Sequence, residues 1–130
     1  MTVELWMLAA SIALGMIHLI AGSHLISWQR GYRWTASSRE AAVPPLHGVA
    51  NRVVQATTNF LETFPFFAAL VLIMHAINHH SALTVWGVHL YFWARVAYLI
   101  AAATGLALVR SLVCWNTAFV GIAFLFIALF

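Results

Sequence analysis

Read for its hydrophobic and polar positions, the chain divides into four long apolar stretches separated by short polar breaks. The first runs from about Val3 to Trp28 and carries one charge, Glu4, near its start. The second runs from about Leu46 to Ile77, and its first half is polar. The third runs from about Leu83 to Leu108 and the fourth from about Leu112 to Phe130. A helix crossing a bilayer needs roughly 20 mainly apolar residues, and each stretch is about that long or longer. Backbone groups in lipid must be satisfied within their own segment, which makes these stretches helices. The run from Pro65 to Met74 does not alternate, as a strand of a membrane barrel would. The expected fold is therefore all-α and integral to a membrane: one domain, residues 1–130, built as a four-transmembrane-helix bundle.

The breaks orient the bundle. Loop one, about Gln29 to Pro45, holds Arg30, Arg33, Arg39 and Glu40, then Pro44 and Pro45, which stop one helix and start the next element. Loop two, around Asn78 to Thr84, has His79 and His80 but no Lys or Arg. Loop three, around Gly105 to Ser111, holds Arg110. Loops one and three share a side in a four-span chain, so the positive-inside rule puts them in the cytoplasm and both termini outside. The first stretch lacks a basic leader and is too long for the core of a cleaved signal peptide, so it is read as a true span. Trp6, Trp28, Trp86 and Trp115 fall near helix ends, where an aromatic belt belongs.

Composition fixes the solvent. The chain is 64% hydrophobic and 7% charged. A soluble domain has about 45–50% apolar and about 25% charged residues, so a soluble monomer and a disordered chain are both excluded. The charged residues are Glu4, Arg30, Arg33, Arg39, Glu40, Arg52, Glu62, Arg95 and Arg110. Six Arg on so apolar a chain do not make a nucleic-acid footprint. The single cysteine, Cys114, excludes an intrachain disulfide and a multi-cysteine metal site, and reads as a small packing residue.

Three charges lie within the spans, where ionisable groups normally face the protein interior and are paired. Arg52, Gln55, Asn59 and Glu62 are spaced 3, 4 and 3. At about 100° per residue they share a stripe roughly 80° wide. Tyr91, Arg95, Tyr98, Ala102 and Gly105 share a similar face on the third helix. Glu62 and Arg95 come out at matching depths, roughly 20 Å from the cytoplasmic end, which predicts a Glu62–Arg95 pair within a subunit or across an interface. With Arg52 and Arg110 at its mouth, the result is an Arg-rich groove opening to the cytoplasm. Polar groups also serve simply to bolt helices together. A bolt does not require three Arg per Glu, and the excess points to an anionic ligand.

The residues on these faces resemble the MAPEG superfamily, the membrane-associated proteins in eicosanoid and glutathione metabolism. The first signature is the run Asn51 to Leu70, centred on Asn59, Phe60, Leu61 and Glu62 with Pro65 one turn later. The second is Ala94-Arg95-Val96-Ala97-Tyr98, then Gly105, Arg110, Ser111, Leu112 and Trp115. Gly31 to Trp34, with Arg39 and Glu40, is similar to the loop of short bacterial members, which implies a bacterial inner membrane.

That resemblance implies a homotrimer with active sites between neighbouring subunits. It implies glutathione as co-substrate, bound through Arg52, Gln55, Asn59, Glu62 and Arg95. It implies Arg110 as the catalytic arginine that holds the sulfur, with Ser111 or Tyr98 as hydrogen-bond donors to it. Only the thiolate is a good nucleophile, and an Arg beside it could lower a thiol pKa by about 2, on the order of 2.7 kcal/mol. The electrophile would be a lipophilic molecule arriving from the bilayer. Two positions depart from the pattern: Gln55 stands where many catalytic members have Arg, and Ala102 where many have Tyr. The alternative is a non-catalytic lipid-binding or scaffold protein on the same fold. A small transporter is a third reading, weakened by the single intramembrane acid available for coupling.

The remaining polar residues are read more plainly. His75, His79 and His80 cluster at the end of the second helix. Two His at i, i+4 can hold a metal, but interfacial polar residues are the favoured reading and no metal is expected. His18, His24 and His89 are expected to bond between helices.

Overall fold

The computed structural model describes residues 1–130. The first helix, α1, spans Val3–Arg30 and starts where the Thr2 hydroxyl accepts the Leu5 N–H. A single turn, α2, follows at Tyr32–Thr35. The long α3 spans Gly48–Ala76 and runs unbroken through Pro65. The fourth helix, α4, spans Ala82–Thr104 and opens on a capping box between Ser81 and Thr84. A wide π-helical turn, Val109–Cys114, leads into α5, Trp115–Ile127. Within it the Trp115 N–H donates to the Arg110 carbonyl, five residues back.

Four helical segments are long and apolar enough to cross a membrane: α1, α3, α4, and Val109–Ile127, which joins the π turn to α5. The shortest of these has 19 residues, about 28 Å at 1.5 Å per residue, close to the hydrocarbon thickness of a bilayer. Only 30 of 130 residues are buried, and Trp6, Met16, Ile20, Phe66, Trp93 and Phe126 are among the large apolar side chains facing outward. Four apolar helices with apolar exteriors make this a multi-pass integral membrane protein.

The core is a column of side chains between α1, α3, α4 and α5, including Leu8, Phe67, Val71, Val88, Tyr91 and Leu125. The Phe67 and Tyr91 rings stack at 4.0 Å. α4 and α5 come closest where Gly87 meets Gly121: a Cβ built on Gly121 would lie 2.7 Å from the Gly87 carbonyl oxygen and from the Tyr91 nitrogen. Loop one is tied down from both ends. Gln29 bonds the His47 backbone in both directions, and Arg30 donates to the Pro44 carbonyl.

Two boundaries differ from expectation. The third span ends at Thr104, not near Leu108, because Gly105 adopts a left-handed conformation (φ 81°) and closes the helix. There the Leu106 N–H donates to the Ala101 carbonyl and the Gly105 N–H to that of Ala102. The fourth span begins at Val109, not Leu112, so Arg110 and Ser111 lie in the π turn instead of a loop. The histidines also differ. His18 bonds the Leu14 carbonyl of its own helix and His89 bonds Trp93 one turn on, so of the three only His24 hydrogen-bonds to another element, at the Tyr32 hydroxyl.

Glu4 has a partner that its position in the sequence did not reveal. Its side chain is buried, and one oxygen accepts the Thr84 hydroxyl at 2.6 Å and lies 3.3 Å from His80 Nδ1. This contact joins the start of α1 to the start of α4, opposite the Arg-rich end.

Candidate functional site

α3 buries Ala50, Val53, Ala56 and Phe60, which leaves the flanking stripe of Gln55, Asn59 and Glu62 at the edge of the bundle. α4 presents Tyr98 to the same edge, and the π turn brings Arg110 there. Val54, Gln55, Thr58, Asn59, Glu62, Tyr98 and Arg110 line an open cleft of about 310 Å³. The structure thus gathers five residues that the sequence nominated: Gln55, Asn59, Glu62, Tyr98 and Arg110. The Nε of Arg110 is buried and has no partner within the chain.

Arg95 lies behind this cleft rather than in it. It is 1% exposed. Its Nη1 donates to Asn59 Oδ1 and its Nη2 to Thr63 Oγ1, both at 2.6 Å. The Tyr98 and Tyr91 ring centroids lie 5.0 and 5.7 Å from its guanidinium carbon. Thr63 Oγ1 also bonds the Tyr91 hydroxyl at 3.1 Å. Within the chain no ion pair joins Arg95 to Glu62, contrary to the pairing expected inside a subunit; Glu4–His80 is the one acid–base contact. The reason is rotational. Asn59 and Thr63 stand one turn apart and face α4, whereas Glu62 is turned about 100° from Thr63, outward. Neutral acceptors and ring faces hold this cation in place of a carboxylate.

Arg52 serves the backbone. Its Nε donates to the Ala102 carbonyl at 2.8 Å and its Nη2 to that of Ala103 at 3.1 Å. Both are carbonyls of the last turn of α4, where a cation also complements the helix dipole. Ser111 is exposed and does not line the cleft. Ala102 is buried with Ala56, Tyr98 and Cys114 in a small cluster beside it. Thr63 was the residue that sequence reasoning missed, and its position one turn after Asn59 was the available signal.

At Glu62 the cleft meets a second hollow. An apolar groove of about 670 Å³ between α3 and α5 is lined by Phe66, Leu70, Ile73, Trp115, Phe119 and Phe126, with Glu62 and Thr63 at its end. The arrangement can hold an anionic group at Arg110 and a cationic group at Glu62. It can lay an apolar body alongside, open to lipid.

Comparison with known proteins agrees with the signatures. The model of the MAPEG family matches residues 7–130, nearly the whole chain. No curated protein and no solved structure matches.

Proposed function

This chain belongs to the MAPEG family, and on that premise we propose that it is a glutathione-dependent transferase or peroxidase acting on lipophilic electrophiles. The observation that carries this reading is the convergence of Gln55, Asn59, Glu62, Tyr98 and an unpartnered Arg110 on one open cleft. Glu62 suits the ammonium of glutathione. The amide groups of Gln55 and Asn59 suit its peptide or carboxylate oxygens. Arg110 suits the sulfur, because a guanidinium beside a thiol favours the thiolate. Tyr98, and Ser111 next to Arg110, are the candidate donors to that sulfur. The apolar groove that ends at Glu62 suits the electrophile.

With Arg110 at the sulfur, the donor set within one chain leaves no cation for the carboxylates. Glutathione carries two carboxylates, while Arg52 and Arg95 already have their guanidinium groups engaged. A neighbouring subunit against the cleft would supply what is missing, which supports a homotrimer with sites between chains. Loops one and three would then face the cytoplasm of a bacterial inner membrane. The same shortage favours a second reading, a non-catalytic lipid-binding protein, since Gln55 and Ala102 replace the Arg and Tyr of many catalytic members.

Purified protein in detergent, given glutathione and a chlorinated nitroaromatic acceptor, should form the conjugate. Arg110→Ala should slow conjugation about 25-fold at pH 7, the drop in thiolate fraction when a thiol pKa lowered by about 2 returns to about 8.5. If neither conjugation nor calorimetric binding of glutathione is seen, the lipid-binding reading replaces the enzyme. A bound thiol whose thiolate absorbance titrates as in free solution would remove Arg110 from its role.

A further inference from the structure

A third hollow, of about 400 Å³, lies between α1, α2 and α3, and its composition differs from that of the cleft. Arg30, Arg39 and Trp34 line it, with the hydroxyls of Ser23, Thr35, Thr57 and Thr58 and with His18. The guanidinium carbons of Arg30 and Arg39 sit 4.8 and 5.5 Å from the Trp34 ring centroid. Two like charges thus share one ring, and neither has a carboxylate partner in the chain. Six buried side-chain polar atoms in the molecule lack a partner, and half of them belong to this pocket: Arg30 Nε, Trp34 Nε1 and His18 Nε2. A buried polar atom is seldom left unsatisfied, so three around one hollow point to a missing ligand.

The atoms say what kind. Arg30 Nε and the Trp34 indole N–H are donors and call for an anionic oxygen. The Leu14 carbonyl can only accept, so His18 Nδ1 carries the proton there, and Nε2 of the neutral ring is an acceptor that calls for a hydroxyl. A phosphate supplies the first, at the end of α1; His18 lies about 18 Å further along the helix, at the level of the lipid's apolar part.

The outer face of α1 says where the rest goes. Ile12, Met16, Leu19, Ser23, Ile26 and Arg30 are spaced 4, 3, 4, 3 and 4, one stripe ending in the pocket. Ile12, Met16 and Leu19 are about half exposed. From Ile12 to Ile26 the stripe is about 21 Å long, close to the extended length of a common acyl chain.

We propose that this pocket binds the phosphate of an anionic glycerophospholipid at Arg30, Arg39 and Trp34, with one acyl chain along the α1 stripe. The site is separate from the glutathione cleft, and its test needs no glutathione. The full-length protein is reconstituted in nanodiscs of phosphatidylcholine doped with phosphatidylglycerol, then released and examined by native mass spectrometry. Phosphatidylglycerol should remain bound at least tenfold over its share of the bilayer. Arg39→Gln and Trp34→Phe should each lower that enrichment several-fold, Arg39→Lys should largely restore it, and Arg110→Gln should leave it unchanged. Melting in pure phosphatidylcholine discs shows that each variant is folded. In detergent, phosphatidylglycerol should raise the melting temperature where inorganic phosphate does not. Equal retention of the two lipids, enrichment unaffected in the folded Arg39→Gln and Trp34→Phe variants, or protection by inorganic phosphate as large as by the lipid would each overturn the proposal.

Discussion

Arg95 shows how a charge can sit in a membrane protein without a countercharge. Its two 2.6 Å bonds go to different side chains one turn apart on α3, a span that a planar fork reaches and a single ammonium does not. Arg95→Lys should therefore leave Asn59 or Thr63 unsatisfied and lower stability by about 1–3 kcal/mol, read as a lower melting temperature in detergent. Glu4 gives a graded pair at the other end of the bundle. Glu4→Gln keeps an acceptor for the Thr84 hydroxyl, whereas Glu4→Leu leaves that buried hydroxyl without its inter-helix partner. The leucine variant should melt lower than the glutamine one, and equal melting would deny Glu4 its bridging role. At this scale the sequence was only partly legible. Helical spacing grouped Asn59, Glu62 and Tyr98, which line one cleft, but also Arg95, which lies behind it. It chose Glu62 as the partner of Arg95 and passed over Thr63, because the choice rested on depth and neighbouring residues differ in depth by only about 1.5 Å. The role of Glu4 depended on Thr84, 80 residues away, and no periodicity reports that.

The helices themselves were legible because lipid leaves few alternatives to a long apolar helix. Their ends were less so. Gly105 could have been passed through as a small residue in a packed helix, but its left-handed conformation closes α4 four residues before the apolar stretch ends. The glycines in the spans supply a sharp contrast. Gly121→Ala would push a methyl group against two backbone atoms of α4, which cannot move aside as a side chain would. It should abolish folding or separate α4 from α5, seen as rapid proteolysis in detergent. Gly22→Ala meets only ordinary contacts, at 3.8 Å from Val54 and 3.9 Å from Thr57. It should be neutral or stabilise by about 0.5–1 kcal/mol, since Ala is the better helix former.

The whole molecule is asymmetric along its length. Arg30, Arg33, Arg39, Arg52 and Arg110 gather at one end, and Glu4 with His75, His79 and His80 at the other. The cleft and the lipid pocket flank the same stretch of α3, and Val54 and Thr58 line both. A neighbour completing the cleft must therefore pack close to the lipid pocket. Chemical crosslinking in native membranes should yield species of up to three chains and no larger, and a single-chain species alone would dismiss the homotrimer. The π turn at the head of the fourth span bears on how such a site changes over generations. It holds one residue more than an α-turn, so Arg110 is set about 100° away from the register that the packed half of the span would impose. Gly121 answers to Gly87, and Arg110 answers to the cleft. Loss of a single codon between them would swing the one guanidinium lining the cleft to another face and leave the helices seated as before. An insertion or deletion of one residue can thereby remove or restore the cation of this cleft without a new way of packing the bundle.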